Sequence, residues 1–221
     1  MLDALCHLHL PQLFARREQV AERAAAAGIS RILTASTDPA SWDRVLACRA
    51  YGPVALGVHP WFAHSELSEL EQRCRDEGVE AIGEIGLDAL RGDLEEQLPV
   101  LRHQLELAAR LDLPVILHCV RAHHLLQPEL ARFGLRGVLH AYSGGPAMVP
   151  RYLELGMHFS VGRQLLNARA QRLVASVHAI PPERLLVESD APDQLAEPAE
   201  AAAVVTRLAE LDRVPGSRLF G

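Results

Sequence analysis

Short apolar runs that stop abruptly at an ionisable side chain recur along this chain. Ala81-Ile82-Gly83-Glu84-Ile85-Gly86-Leu87-Asp88 sets one carboxylate between two glycines. Pro114-Val115-Ile116-Leu117 ends in His118, Gly137-Val138-Leu139 ends in His140, and Leu185-Leu186-Val187-Glu188-Ser189 delivers Asp190. Continuous apolar runs without polar alternation are the pattern of parallel strands covered on both faces, and ligands bind beyond the carboxyl ends of such strands. A Glu is seldom buried without a partner, and flanking glycines let a neighbour approach closely. The partner expected at Glu84 is a cation.

Between these runs the pattern changes to helical spacing. Leu2 to Leu10 reads as a first strand with polar interruptions, followed by a helix over Arg16 to Ala27 that Gly28 stops. Ile29 to Ala35 and Val54 to Val58 are further strands, with a helix from Asp38-Pro39 to Ala50 between them, because Asp caps and Pro suits a first helical position. A helix over Ser65 to Glu77 precedes the strand Ala81 to Ile85. Leu94, Leu98, Leu101, Leu105 and Ala108 repeat at helical spacing within Leu94 to Leu111, with Pro99 near its start. Val115 to His118, Val138 to His140, Met157 to Val161 and Leu185 to Glu188 complete the strands. Helices over His123 to Phe133, Pro146 to Leu155, Asn167 to His178 and Pro198 to Asp212 separate or follow them. Eight strand-then-helix units predict a closed (β/α)8 barrel; an open doubly wound sheet is the alternative and needs one of the weaker strands to be absent.

Composition narrows the function without choosing it. With 221 residues, 49% of them hydrophobic, residues 1–221 can bury one core and are expected to form a single domain. A formal charge of -6 neither demands nor excludes nucleic acid, since a polyanion binder needs only a local basic patch. Cys6, Cys48, Cys74 and Cys119 are scattered without a C-x-x-C spacing, and no charged n-region with an apolar h-region opens the chain. A reducing cytoplasm is therefore expected. No apolar run approaches the roughly 18 residues of a membrane span.

On a barrel, residues just past the strand ends share one rim, so His7, His59, Glu84, His118, His140 and Asp190 should converge although they are far apart in sequence. Imidazoles and carboxylates without a thiolate pair suit zinc, manganese or similar divalent ions. One or two such ions lower the pKa of water and steady phosphoryl oxygens, and Asp190 can both ligate and accept a proton. Any one of these imidazoles alone could be a hydrogen-bonded structural residue, and Glu84 an arginine's ion-pair partner. Six at equivalent points of successive units point to a common site.

Cys6-His7-Leu8, Gly57-Val58-His59-Pro60, Gly83-Glu84-Ile85-Gly86-Leu87-Asp88, Leu113-Pro114-Val115-Ile116-Leu117-His118, His140-Ala141-Tyr142-Ser143-Gly144 and Glu188-Ser189-Asp190-Ala191-Pro192 together resemble the TatD family of metal-dependent hydrolases. The resemblance runs from Asp3 to about Pro198. It implies a TIM-type barrel of the amidohydrolase-like, metallo-dependent hydrolase kind, with one or two divalent ions (Zn, Mn or Mg) and hydrolysis of phosphodiesters, as in a DNase. It also implies roles: Glu84 as a shared or first-site ligand with a catalytic part, His118 and His140 as ligands of the second metal, Asp190 as ligand and catalytic base. His7 falls on the second His of an N-terminal H-x-H pair. Trp61 stands where a second His often follows His59-Pro60 and is a stacking platform or plain lid packing; in the hydrolase reading His59 and Trp61 would help hold substrate. Arg121 is a displaced phosphate contact or a solvent-exposed helix-start arginine, and His123 a cap or substrate contact. The partner implied is a nucleic acid or small phosphoester bound by a monomer.

Three features depart from the family pattern, one of them at Val120-Arg121, where the family has an Arg followed by an acidic residue. The first His of the H-x-H pair falls on Leu5, which cannot ligate. His9 recreates the spacing two residues late, but two strand residues span about 6.6 Å, far beyond a ligand bond. The expectation is a weakened first metal site with His9 at the surface or facing substrate; the alternative is a site relocated onto His9. The loop after Pro192 and the segment beyond Arg213, ending Arg218-Leu219-Phe220, are both short, which predicts a more open site and a less well supported last helix. The competing functions are metal-dependent ester or amide hydrolysis, which similar barrels support, and a binding scaffold that has lost its metal.

Overall fold

The structure, a computed structural model, describes residues Met1–Gly216. Eight parallel strands run in the order β1-β2-β3-β4-β5-β6-β7-β8. They are β1 (Leu2–Cys6), β2 (Arg31–Ala35), β3 (Val54–Leu56), β4 (Ala81–Asp88), β5 (Val115–Val120), β6 (Gly137–Leu139), β7 (Met157–Val161) and β8 (Leu185–Val187). The seam between last and first strands is closed by backbone bonds, Asp190 N–H to Leu5 C=O at 2.9 Å and His7 N–H to Ala191 C=O at 2.8 Å. Beneath them Ser189 donates through its amide (2.8 Å) and hydroxyl (2.6 Å) to the fully buried carboxylate of Asp3. Burial raises the Asp3 carboxyl to about 8 against the opposing effect of those two donors. Eight parallel strands with both ends joined form the (β/α)8 barrel.

The helices are α1 (Pro11–Phe14), α2 (Arg17–Ala26), α3 (Trp42–Leu46), α4 (Leu70–Glu77), α5 (Leu94–Leu111), α6 (His123–Phe133), α7 (Val149–Glu154), α8 (Gln171–Ala179) and α9 (Ala201–Glu210). Apolar side chains divide into two cores. Leu5, Leu33, Ala35, Ala55, Ala81, Ile116, Val138 and Leu186 fill the inside of the barrel, and a larger set including Leu56, Leu117, Leu139, Phe159 and Leu105 packs the strands against the helices. Strands with both faces covered must be apolar throughout, which is why they lack alternation.

Several predicted boundaries differ. The first strand ends at Cys6 rather than Leu10, because the His7 amide bonds across to Ala191 and Leu10 N–H turns back to His7 C=O at 2.9 Å. The helix expected over Arg16 to Ala27 is α2, and a short additional helix, α1, begun by Pro11, precedes it. The helix expected from Asp38 to Ala50 is α3 flanked by tighter 3-10 turns at Pro39–Ser41 and Arg49–Tyr51. β4 continues to Asp88, paired with Val120 of β5. α5 has the expected bounds, with Pro99 tolerated inside it, and Asp93 caps it by accepting from Glu95 N–H at 2.8 Å. α9, expected to be poorly supported, buries Ala201, Val204 and Leu208. Arg218-Leu219-Phe220 lies outside the described residues. Among those described, no helix is long and apolar enough to cross a membrane.

The glycines flanking Glu84 serve the sheet. A Cβ on Gly83 would lie 2.6 Å from Cβ of Ile116, and one on Gly86, at φ +152°, would run into the His118 carbonyl. What comes close at both is therefore β5, and this approach brings His118 beside Glu84.

Candidate metal centre

Four of the inner-core residues are followed, two positions later, by a polar side chain on the rim. Leu5 precedes His7, Ile116 precedes His118, Val138 precedes His140 and Leu186 precedes Glu188. The two-residue period of a strand thus carries an apolar floor directly into a polar mouth. His7, His59, Glu84, His118, His140 and Asp190 are all buried.

Glu84 is the hub. Its Oε1 lies 2.8 Å from His140 Nε2, 3.0 Å from His118 Nδ1 and 3.3 Å from His59 Nε2, while Oε2 lies 3.2 Å from His7 Nε2. His7 Nε2 is also 3.4 Å from Asp190 Oδ1. One oxygen of Glu84 thus faces the His118 and His140 side, and the other faces His7 and Asp190. Burial opposes ionisation of Glu84, but the imidazoles of His140, His59 and His118 overcome it and hold the carboxyl well below its usual range. Burial likewise opposes charge on His7 and His140, and their carboxylate neighbours override it and raise both imidazoles well above the usual value.

Hydrogen bonds on the far side of each ring select its tautomer. His7 Nδ1 is 3.1 Å from the Ala35 carbonyl, an acceptor only, so Nδ1 carries a proton and Nε2 is the nitrogen turned to the carboxylates, protonated in the metal-free cluster and a lone-pair donor to a cation that displaces that proton. His118 Nε2 is 3.3 Å from Asp88 Oδ2, which leaves Nδ1 for the centre. His140 Nδ1 faces Glu188 Oε1 at 3.6 Å, too far for a hydrogen bond. His59 is different: its Nδ1 accepts from Trp61 N–H at 3.2 Å, so Nε2 holds the proton and donates to Glu84. His59 therefore offers the centre a donor and no lone pair, although its nitrogen lies within metal-sharing reach of Glu84 and His118.

These groups fit a divalent cation. His118 Nδ1 and His140 Nε2 are 3.0 Å apart and share one carboxylate oxygen. Three electron-pair donors that close repel unless a proton or a metal lies among them, and imidazole with carboxylate is a set that zinc or manganese accepts. A second group, His140 with Glu188 and Asp190, lies in the same mouth.

Sequence reasoning passed over two participants. Asp88 orients His118 and also accepts from Trp61 Nε1 at 2.8 Å, while Gln97 brackets its backbone. Glu188, fully buried, accepts from Ala141 N–H at 2.8 Å and from the Ser160 hydroxyl. Both stand in motifs already singled out, and the available signal was a carboxylate one strand period from Asp190 in the case of Glu188 and two from Glu84 in the case of Asp88. Three rim residues, Arg121 (φ 54°), Ala141 (φ 43°) and Asp190 (φ 46°), hold left-handed backbone that such side chains rarely adopt.

His9 is not at the surface. It is 0% exposed, lies edge-on to His7 with centroids 5.6 Å apart, and neither ring nitrogen has a hydrogen-bond partner. Burial, then the charges of His7 and Arg44, depress it to about 3. The strand has already ended at Cys6, so the two-residue rule that would align His9 with His7 no longer applies, and His9 is not among the converging donors. Leu5 occupies the place of the missing imidazole, packed into the barrel floor.

Trp61 is 37% exposed and carries the Arg91 guanidinium 3.8 Å above its ring. His123 does not cap α6; its Nδ1 is 2.8 Å from the Tyr152 hydroxyl and 3.3 Å from Cys119 Sγ. Two cavities meet at the centre. One of about 210 Å³ is lined by His7, His59, Trp61, Glu84, Asp193 and Gln194. The other, about 560 Å³, is lined by His118, His140, Asp190, Arg121, His123 and Arg172 among others.

A (β/α)8 barrel whose carboxyl-terminal rim gathers buried imidazoles and carboxylates is the architecture of a metal-dependent hydrolase. The family model described as TatD related DNase matches residues 2–219, and the chain belongs to that family. It is 37% identical to the Escherichia coli protein described as uncharacterized metal-dependent hydrolase YjjV, over 99% of this chain and 92% of that one. The 3'-5' ssDNA/RNA exonuclease TatD of Erwinia amylovora is 34% identical over 87% of this chain and 80% of its own length. The crystal structure of Escherichia coli YjjV superposes with a TM-score of 0.90 at 36% identity, covering 96% of this chain and 90% of that one. A TatD family hydrolase from Entamoeba histolytica shares the fold at 21% identity, with a TM-score of 0.82.

Proposed function

We propose that this metal-dependent hydrolase is a phosphodiesterase acting on nucleic acid, in the manner of a DNase. The observation that carries this is the division of Glu84 between two groups of donors, one oxygen toward His118 and His140 and the other toward His7 and Asp190. Zinc, manganese or magnesium bound there supplies charge neutralisation at a phosphoryl oxygen and lowers the pKa of water. His118, His140 and Glu84 would hold the tighter ion. His7, Glu84 and Asp190 would hold a weaker one, because Leu5 removes a donor from that side. The relatives named as nucleases support a nucleic acid as substrate.

The remaining steps belong to the chain's own residues. Asp190 accepts the proton of the attacking water through Oδ1, while Gln194 Nε2 holds Oδ2 at 2.9 Å. Burial opposes the Asp190 charge, but His7 and His140 keep its carboxyl below the usual range, so the base is ionised at neutral pH. His59 is neutral because burial outweighs Glu84, and its one Nε2–H, which donates to Glu84 in the metal-free cluster, would turn to a phosphate oxygen once a cation takes that carboxylate oxygen. Trp61 offers a ring face to a base beside the centre.

We further propose that the chain works as one barrel domain and a monomer, since every donor comes from a single chain, and in the cytoplasm, which its four free, buried cysteines suit. Elemental analysis after loading with zinc or manganese, followed by assay on single-stranded DNA and a p-nitrophenyl phosphodiester, tests the function. Bound ions with cleavage are expected; bound ions with hydrolysis of carboxylic esters alone would overturn it.

A further inference from the structure

The chain's formal charge is -6, yet positive charge gathers at the mouth of the metal centre. Arg121, just past β5, and Arg172, in the first turn of α8, line the 560 Å³ cavity that also reaches His118, His140 and Asp190. Among the described residues neither guanidinium has a carboxylate partner, whereas Arg132, Arg136 and Arg151, elsewhere on the barrel, are paired with Glu129, Asp112 and Glu154. Among the described residues Asp190 is the only carboxylate lining the cavity, and His7 faces it at 3.4 Å. Two cationic residues lining one cleft without a counter-ion are an arrangement expected where the ligand brings the negative charge.

Arg172 is placed by packing. Its guanidinium lies across the backbone of Gly145, where a Cβ would come within 2.9 Å of Nη2 and 3.0 Å of Nε. Glycine at 145 leaves room for the fork there, on the cavity wall. Its charge reaches His123, whose imidazole is lowered first by burial and then by Arg172. The cavity is of the size of ordinary ligand sites, roughly 300–1,000 Å³, and exceeds what the reacting phosphate alone would fill.

We propose that Arg121 and Arg172 form a subsite for a second phosphate, adjacent in the chain to the one hydrolysed, so that the substrate is an oligonucleotide rather than a single diester. The proposal rests on the phosphodiesterase reading and adds to it the length of chain the enzyme recognises. Guanidinium forks suit phosphate oxygens, and each bond to a charged group is about twice as strong as a neutral one.

The test compares kcat/KM of the metal-loaded protein on a dinucleoside monophosphate and on a trinucleoside diphosphate. The wild type should prefer the trinucleotide by about tenfold or more at low salt, the scale of one charge-assisted contact. Arg172→Ala and Arg121→Ala should each shrink that ratio, Arg172→Lys should keep part of it, and the salt dependence on the trinucleotide should become shallower by about 0.7 per lost contact. A wild-type ratio near one, or a ratio unmoved by both alanine variants, overturns the subsite while leaving the phosphodiesterase intact. Hydrolysis of neither nucleotide, with hydrolysis of carboxylic esters, removes both.

Discussion

Leu5→His would return an imidazole to the position where the barrel floor meets the His7 side of the centre. Leu5 is 0% exposed, among Leu33, Ala35, Ala55, Ile116 and Leu186. Losing a fully buried leucine costs about 1.5–3 kcal/mol, and an imidazole without a partner there adds about 1–3 kcal/mol. A total near 4 kcal/mol should lower the metal-free Tm by about 8–16 °C for a chain of this size. With metal, the new imidazole would join His7, Glu84 and Asp190 as a further donor. An ion at 100 times its Kd returns about 2.7 kcal/mol, or about 5–11 °C. Thermal unfolding with and without zinc, together with ions counted per chain, measures both effects. The variant should gain in stoichiometry and show a metal-dependent rise in Tm larger than the wild type's. An equal rise and equal stoichiometry would refute the idea that Leu5 weakens this side.

Asp88→Asn removes the carboxylate that holds His118 Nε2, and metal affinity by chelator competition should drop about 10- to 100-fold; an unchanged affinity would show that Asp88 does not orient the ligand. For Asp190→Asn, kcat should fall about 10²- to 10⁴-fold with the fold kept by circular dichroism, and a loss under threefold would remove Asp190 as the proton acceptor. In the metal-free protein, His7 and His140 hold protons more tightly folded than unfolded. Their stabilisation is complete below the reference 6.5 and lost as pH rises through the folded values, while Asp3, raised to about 8, acts in the same direction from 3.8 upward. Tm of the metal-free protein should therefore fall from about pH 6 to about pH 9, and metal should reverse the slope by displacing the imidazole protons. A metal-free Tm that climbs over that range would contradict the charge states assigned to the cluster.

The strand order was legible because burial on both faces forces apolar runs, and six of those runs carry their ionisable residue at the same place. That periodicity alone put His7, His59, Glu84, His118, His140 and Asp190 on one rim. Helix ends were less legible: the break between α1 and α2, and the 3-10 turns around α3, depend on tertiary packing that no local spacing records. His9 failed for a specific reason. Its spacing from His7 is that of a strand, but the barrel seam takes the His7 amide to Ala191 and ends the strand first, so His9 turns into a buried position where neither ring nitrogen has a hydrogen-bond partner. The sequence by itself determined the donor types and their order. Which nitrogen of His7 and of His118 faces the centre was decided only in three dimensions, since Ala35 and Asp88 reach those rings from other strands, whereas His59 is set locally by the Trp61 amide two residues on. The same holds for the basic cleft: an acidic chain discloses no local patch until β5 and α8 bring Arg121 and Arg172 to one wall.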